Sequence, residues 1–487
     1  MQELVLELKN IEKSYNGKTI LSIDDLKVYQ NERIGIVGDN GQGKSTLLKL
    51  INQSIEPDKG QVRMLTDFQF YSQIEEETGL FRDQVDPEML SRLNVPKYST
   101  DVFSGGERTR ARLARLFSRY TLGMLMDEPT THLDSEGIQF LIDELTYYYG
   151  TLLIVSHDRY FLDQVVETIW EVKDGTVAVY PGNYTEYVEQ KAQNKLEAER
   201  KQEAVRKEKA RLELAVKKKH EQAQKMSKVS HKQKNRNIRP SRLSSSKQKD
   251  TVQKAAHKTA KSIEKRMEQI EDVDLPAVQR TIQFPEVKTV EIHNPYPVML
   301  ENVTIIRGDQ ILLEEVDAQF ERGKRIAITG HNGAGKSSLL SHILNKEEGV
   351  RLSPKVRFAV YRQMDYKLAE STGILDYLLY ESEYSEPLVR AVLNNLGFDQ
   401  SDTDRAVSNL SGGEATRLAI AKLFTDPSNI IVLDEPTNFI DLSTIEALEH
   451  LLRDYKGTVF FTSHDKYFVD RVADQVWEIN DQKLYLK

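Results

Sequence analysis

Gly38-Asp39-Asn40-Gly41-Gln42-Gly43-Lys44-Ser45 decides the fold, together with its copy Gly330-His331-Asn332-Gly333-Ala334-Gly335-Lys336-Ser337. The first stretch follows an apolar run, Ile34–Val37, that reads as a strand, and it leads into the helical pattern TLLKLINQ. Strand, glycine loop and helix in that order are the context a phosphate-binding loop requires. Gly43 leaves room for backbone N–H groups to face phosphate oxygens, and the helix adds its positive N-terminal end. Lys44 is placed to reach the β- and γ-phosphates, and the Ser45 hydroxyl to hold Mg²⁺. The candidate nucleotide-binding residues are therefore Gly38, Asn40, Gly41, Gly43, Lys44, Ser45 and Thr46. In the copy they are Gly330, Asn332, Gly333, Gly335, Lys336, Ser337 and Ser338.

The repeat extends beyond these loops. Each half has a Ser-Gly-Gly-Glu (Ser104–Glu107, Ser411–Glu414), an apolar strand ending in Asp-Glu-Pro-Thr (Asp127–Thr130, Asp434–Thr437) and a Ser-His-Asp (Ser156–Asp158, Ser463–Asp465). Ser104 to Glu128 is 24 positions, as is Ser411 to Glu435; Glu128 to His157 is 29, as is Glu435 to His464. Trp170 and Trp477 keep the same offset of 307, so the chain is an internal duplication. Only the segment before Ser-Gly-Gly-Glu differs, with 60 positions from Lys44 to Ser104 against 75 from Lys336 to Ser411.

The 487 residues are enough for two or three domains with substantial cores. The absence of cysteine excludes disulfides and thiolate metal sites and fits a reducing compartment. The opening MQELVLELKN has neither a basic nor an apolar leader region, so no signal peptide is expected. No apolar run approaches the ~18–20 residues that span a bilayer, and short ones such as Ile430–Leu433 read as buried strands. A soluble, cytoplasmic protein is expected. LVLELKNIEKSY alternates as a strand does, and Asn16-Gly17 signals a hairpin.

Charge is unevenly spread. Between Lys217 and Lys249 twelve Lys/Arg face the single acid Glu221, a net of +11, so the remainder of this −8 chain carries −19. A basic finger on an acidic body points to a polyanion partner. From Asn183 to about Ser227 the residues are mostly good helix formers without Gly or Pro. A helix of roughly 40 residues would be ~60 Å long. Pro240 and Ser241–Ser246 break the pattern, and Thr251–Glu271 reads as a returning helix with Ile263, Met267 and Ile270 on one face.

With these motifs in order, both halves resemble the ATP-binding cassette superfamily, whose Q-loop glutamines would be Gln73 and Gln363. Two cassettes on one chain, no membrane span and a charged helical linker are similar to the ABC-F subfamily of translation-associated ATPases. The segment Arg239–Ser246 and the run Pro181–Tyr187 resemble its antibiotic-resistance, ribosome-protecting members of the macrolide/streptogramin type. The expected fold class is α/β, with two P-loop nucleotide-binding domains (residues 1–190 and 277–487) joined by a long antiparallel α-helical hairpin (residues 191–276).

The resemblance implies that the signature of one cassette faces the phosphate loop of the other. One ATP would lie between Lys44 and Ser411, Gly412, Gly413 and Glu414, the second between Lys336 and Ser104, Gly105, Gly106 and Glu107. The physical reading agrees, since Ser-Gly-Gly opening a helix offers bare N–H groups to a phosphate. Asp127 and Asp434 suit Mg²⁺, with Ser45, Ser337, Gln73 and Gln363 completing the candidate metal set. Glu128 and Glu435 are placed to polarise the attacking water, and His157 and His464 to contact the γ-phosphate. Tyr15 stands where such cassettes stack an aromatic on adenine, but the second half offers Ile306-Arg307 there, so inequivalent sites are expected. The regions Thr131–Asp134 and Asn438–Asp441 depart from the family's Asn-His-Leu-Asp pattern. Gln73 to Ser104 is 31 positions against 48 for Gln363 to Ser411, so the inserted arm of housekeeping members should be missing from the first cassette. The chain ends a few residues after its last strand, and no C-terminal extension is expected.

The resemblance places the linker in the tRNA exit-site region of the ribosome, pointing toward the peptidyl-transferase centre. The expected partners are therefore 23S rRNA and P-site tRNA, met by a monomer. The linker residues expected to meet RNA are Lys217, Lys218, Lys219, Arg236, Ile238, Arg239, Arg242 and Leu243. The leading expectation is an ATPase that protects the large subunit from antibiotics. A housekeeping factor relieving stalled ribosomes, the ATPase subunit of a drug exporter and a DNA-maintenance ATPase are the alternatives.

Overall fold

The computed structural model describes residues 3–15, 17–72, 85–95, 105–234, 258, 261–262, 265, 282, 284, 292–308, 310–361, 372–380, 382–438 and 440–487. The first cassette contributes β1 (Leu4–Tyr15), β2 (Lys18–Tyr29), β3 (Arg33–Val37), β4 (Lys59–Met64), β5 (Phe68–Tyr71), β6 (Gly123–Asp127), β7 (Thr151–Val155), β8 (Thr168–Lys173) and β9 (Thr176–Pro181). The second repeats them as β10 (Val298–Arg307), β11 (Gln310–Phe320), β12 (Arg325–Thr329), β13 (Val350–Leu352), β14 (Phe358–Tyr361), β15 (Ile430–Asp434), β16 (Thr458–Thr462), β17 (Gln475–Asn480) and β18 (Lys483–Leu486).

Each cassette has a six-stranded sheet, in the orders β5-β6-β7-β3-β8-β9 and β14-β15-β16-β12-β17-β18. The strands are parallel except at the β9 and β18 edges. A three-stranded antiparallel sheet (β2-β1-β4; β11-β10-β13) accompanies each. Every residue of β6 (GMLMD) and β7 (TLLIV) is buried. That is why these strands read as continuous apolar runs: a parallel sheet packed on both faces leaves no exposed alternate positions. Each fully buried Leu or Ile contributes roughly 1.5–3 kcal/mol. The turn between β1 and β2 carries Gly17 at φ +80°, as the hairpin reading required.

The helix after the first phosphate loop starts at Lys44 and stops at Ile51. It is shorter than the sequence pattern suggested, because Gln53 takes a left-handed φ of +55°.

By chain contacts the protein divides into two compact units, residues 1–187 with 279–487, and residues 188–278. The first unit holds both cassettes. The helix Tyr184–Lys234 runs 51 residues, longer than expected from composition. Lys217 and Lys218 are exposed on it. Of the expected returning helix only residues 258, 261, 262 and 265 are described, and all four are helical. Arg236, Ile238, Arg239, Arg242 and Leu243 lie outside the described residues, as do Ile263, Met267 and Ile270. No helix among the described residues is long and apolar enough to cross a membrane.

Candidate nucleotide-binding and hydrolysis site

The phosphate loops leave the carboxyl ends of β3 and β12, strands flanked on both sides by parallel neighbours. Ligand loops collect at this edge of an open parallel sheet. The two loops share one conformation: Gly38, Gly41 and Gly43 have φ of +146°, +81° and +102°, and Gly330, Gly333 and Gly335 have +143°, +82° and +104°. At Gly38 the requirement is also one of space, because a Cβ would sit 2.3 Å from the Val172 carbonyl oxygen. Lys44 is buried, and its Nζ donates to the carbonyls of Gly38 (2.7 Å) and Asp39 (3.1 Å). Lys336 repeats this with Gly330 (2.8 Å) and His331 (3.2 Å) and adds His464 Nε2 at 3.2 Å.

Asp127 and Asp434 end β6 and β15, and Glu128 and Glu435 follow them at φ +49° and +47°. Pro129 and Pro436 close the right-handed helical region to the residue before them. A non-glycine residue at positive φ costs of order 1–3 kcal/mol and needs surroundings that enforce it. Here the Glu128 N–H donates to the Val155 carbonyl (2.9 Å) and the Glu435 N–H to Thr462 Oγ1 (2.9 Å). The His157 and His464 N–H groups reach Glu128 Oε2 and Glu435 Oε2, each at 3.3 Å. Oε1 of both glutamates is buried without a hydrogen-bond partner. Burial raises both carboxyls, Glu435 to about 7, and lowers His157 to about 3 and His464 to about 4. The imidazoles are thus neutral, and the His–Glu approaches of 3.5 and 3.3 Å are not ion pairs. Burial also lowers Lys44 and Lys336.

Ser337 Oγ donates to Asp434 Oδ1 at 3.0 Å, and Thr462 Oγ1 to the same oxygen at 2.7 Å. Asp127 is raised by burial, against a hydrogen bond from Ser45. Among the described residues no group of three or more His, Cys, Asp or Glu gathers as a metal cage. A serine hydroxyl beside one carboxylate suits a hard cation that keeps waters and substrate oxygens in its shell, as Mg²⁺ does.

The two cassettes meet at these loops. The Asn40 N–H donates to Asp441 Oδ2 (3.1 Å), and the Asn332 N–H to Asp134 Oδ2 (3.3 Å). Each aspartate spends its other oxygen capping its own helix, Asp441 on the Thr444 N–H and Asp134 on the Gly137 N–H, both at 3.0 Å. Asn332 Nδ2 also reaches the His132 carbonyl at 3.5 Å. At Gly106 a Cβ would stand 3.0 Å from that carbonyl and 3.9 Å from Asn332 Nδ2.

One cavity of about 1220 Å³ spans both loops. Tyr15, Asn40, Gly41, Gly43, Lys44, Ser45, Thr46, Asp127, Glu128 and His157 line it from one side. Asn332, Gly333, Gly335, Lys336, Ser337, Ser338, Glu435 and His464 line it from the other, with Gly106 and Glu107. Arg307 and Leu312 lie in the wall of the second half. Ser411, Gly412, Gly413 and Glu414 are not among the lining residues, and no atom stands within 4 Å of a Cβ at Gly412 or Gly413. Gln73, Ser104 and Gln363 fall outside the described residues.

Three groups here escaped the sequence reading. Asp134 and Asp441 stood in the sequence only as the ends of the regions Thr131–Asp134 and Asn438–Asp441, with no role assigned to them. Arg110, whose Nε is buried without a hydrogen-bond partner, also lines the cavity and carried no signal at all.

Ser411 closes a capping box with Glu414, and Arg405 adds a 2.9 Å bond to the same carboxylate. Burial alone would raise Glu414, but the bonds from Arg405 and Ser411 outweigh it and hold the carboxyl at about 2. A depressed carboxyl stabilises the fold above its unfolded value and loses that contribution as pH falls toward the folded value. Arg405→Met is therefore expected to lower the melting temperature at pH 7. The gap to the parent should shrink as pH falls from about 4.5 toward 2. A pH-independent gap in thermal melts would rule this out.

The ABC transporter family matches residues 21–90 and 313–438, and its extension matches residues 170–237. Over 486 residues the chain is 44% identical to the erythromycin resistance ATP-binding protein MsrA of Staphylococcus epidermidis, covering 100% of this chain and 99% of that protein. The chain belongs to the ABC-F family of ATP-binding cassette proteins. It is an ATPase with two cassettes. This ABC-F chain is also 32% identical over 489 residues to the ribosome protection protein VmlR of Bacillus subtilis (strain 168), covering 97% and 86% of the two. Among solved structures, an RNase-L inhibitor aligns at a TM-score of 0.63 with 19% identity, over 96% of this chain and 87% of that one. At that identity the likeness concerns the fold alone.

Proposed function

We propose that this ABC-F ATPase binds ribosomes in the cytoplasm as a monomer and counteracts antibiotics of the large subunit. In this reading it occupies the tRNA exit-site region and carries its linker, residues 191–276, toward the peptidyl-transferase centre, meeting 23S rRNA and P-site tRNA. The observation that carries the reading is similarity over nearly the whole of this chain to two proteins named for erythromycin resistance and ribosome protection. The basic segment Lys217–Lys249 supplies the surface an RNA backbone requires. The test is co-sedimentation of the protein with ribosomes and with membranes, alongside drug susceptibility of cells that express it. Association with membranes instead would favour the exporter subunit.

The chemistry follows from the site. Polyphosphate oxygens supply the negative charge that Lys44 and Lys336 need in order to remain cationic under burial. Arg110 adds positive charge where the first cassette's signature helix meets the second phosphate loop. Ser45 with Asp127, and Ser337 with Asp434, would hold Mg²⁺, which would supply positive charge beside the phosphates. Gln73 and Gln363 belong to the same proposed metal shell. Glu128 and Glu435, kept in place by their strained backbone, each turn a carboxylate to the attacking water. His157 and His464, being neutral, hydrogen-bond the transferred phosphoryl group without adding charge.

Adenine is held differently in the two sites. Tyr15 stacks on one base, and the planar Arg307 guanidinium takes its place on the other. Tyr15→Ala is expected to weaken nucleotide at the first site by part of the ~1–3 kcal/mol of base–aromatic stacking. Arg307→Ala should weaken only the second. Nucleotide titrations that resolve two sites check this, and equal weakening at both sites would refute it.

A further inference from the structure

Between the cassettes lies an ionic cluster that the duplication does not repeat. Arg159 is 1% exposed, and its Nη2 lies 2.6 Å from Glu449 Oε1 and 3.0 Å from Asp465 Oδ2, both in the other cassette. Glu449 also meets Arg471 at 3.2 Å, and the Arg159 guanidinium stands 5.6 Å from the centre of the Tyr467 ring. At the positions 307 residues away, Lys466 replaces Arg159, Ile142 replaces Glu449 and Gln164 replaces Arg471. Lys466 is exposed, with its ammonium over the Tyr160 ring at 5.1 Å. One half of the pair thus carries a buried latch, and the other carries a lysine on the surface.

The latch connects parts of the first site. Arg159 begins the helix Arg159–Val165, two residues after His157, whose N–H is bonded to Glu128. Glu449 belongs to the helix Leu442–Asp454, capped by Asp441, which in turn accepts the Asn40 N–H of the first phosphate loop. A chain of contacts therefore runs from Asn40 through Asp441, Glu449 and Arg159 back to the His157 loop, crossing the cassette boundary twice. Asp465, the other partner of Arg159, adjoins His464 of the second site and caps its own helix on the Phe468 N–H at 3.0 Å. A buried ion cluster gains little over an apolar one but fixes register, and it is costly to break by removing one member. That combination suits an interface that opens and recloses in one alignment.

We propose that Arg159 is a positioning residue of the ATPase cycle, locking the His157 loop to the Asp441 helix of the opposite cassette so that the first ATP site closes in register through a tie the second site lacks. The inference rests on the assignment of the ATP sites made above and adds a coupling between them.

The experiment uses the full chain. Because it has no cysteine, Tyr149→Cys and Tyr380→Cys, at exposed positions on the two cassettes, take spin labels that report closure with ATP. Arg159→Met is expected to lower kcat about tenfold or more and to broaden the ATP-bound distance, since it strips the cation from two buried carboxylates. Binding of a fluorescent ADP analogue by the open protein should stay within about twofold. Glu449→Gln should act alike, and the double variant should be no worse than the poorer single one, the non-additivity expected of contacting residues. Lys466→Met should leave kcat within about twofold.

If Arg159→Met fails to fold, Arg159→Lys keeps the charge but not the planar guanidinium whose Nη2 lies between the two carboxylates. It should then show an intermediate kcat with an unchanged melting temperature. Turnover measured with Glu435→Gln should fall further on adding Arg159→Met than turnover measured with Glu128→Gln. Wild-type kcat and closure in Arg159→Met, or additive losses in the double variant, would overturn the proposal. Undiminished turnover in both Glu→Gln backgrounds would instead point to a failure of the ATP-site assignment.

Discussion

Replacing Glu128 and Glu435 together by Gln is expected to slow ATP hydrolysis by about 10²–10⁴-fold, the usual contribution of a positioned general base. ATP binding should survive. Gln is isosteric, so its carbonyl oxygen can still accept the His157 and His464 N–H groups that now donate to the carboxylates at 3.3 Å. The strained backbone at φ +49° and +47° belongs to the Glu-Pro turns and not to the charge, so it persists. The closed, ATP-loaded protein should accumulate on ribosomes and inhibit translation. The checks are steady-state phosphate release, ATP affinity and ribosome co-sedimentation of the double variant. Normal turnover would remove both glutamates from the mechanism.

The second large effect is expected in the finger, where affinity and function should separate. Neutralising Lys217, Lys218 and Lys219 deletes up to three phosphate contacts, and the slope of log affinity against log salt should flatten by about 2–3. Lys217 and Lys218 are exposed and their side chains carry no ion pair among the described residues, so their charge is open to an external partner. Deleting residues 237–244 removes only Arg239 and Arg242 from the basic set, so ribosome binding should largely persist. Drug resistance, however, should be lost. Ile238 and Leu243 are costly to expose on a free loop unless they meet a partner, which argues for the effector surface there. Susceptibility of cells carrying the deletion, with binding measured on the same protein, decides it. Full resistance in the deletion variant would reduce the tip to a spacer.

The contrast between sequence and structure follows the range of the interactions involved. Gly38, Gly43, Lys44 and Ser45, and their copies, were legible because a phosphate loop is local: strand, positive-φ glycines and helix start lie within about a dozen residues of chain. The apolar runs of β6, β7 and β15 were legible for the same reason, since burial on both faces writes itself into every position of a strand. Constant spacings between Ser-Gly-Gly-Glu, Asp-Glu-Pro-Thr and Ser-His-Asp then revealed the duplication, and with it two nucleotide sites.

What the sequence could not contain is the assignment of partners across the cassette boundary. Asp134 and Asp441 stood in the sequence only as ends of the regions Thr131–Asp134 and Asn438–Asp441, and only the packing shows each capping a helix with one oxygen and turning the other to Asn332 or Asn40 of the opposite loop. Nothing near Arg159 announced Glu449, which is 290 positions further along the chain and unmatched in the first half. The left-handed backbone at Glu128 and Glu435 was also invisible, because strain is enforced by neighbours rather than by residue type. The sequence by itself determined the fold class, the repeat and the two phosphate loops, each specified by short-range chain geometry. The tertiary structure alone decided which charges meet, and so that Arg159 is buried against Glu449 and Asp465 while Lys466 stays on the surface, because an electrostatic partner is chosen by distance in space and not along the chain.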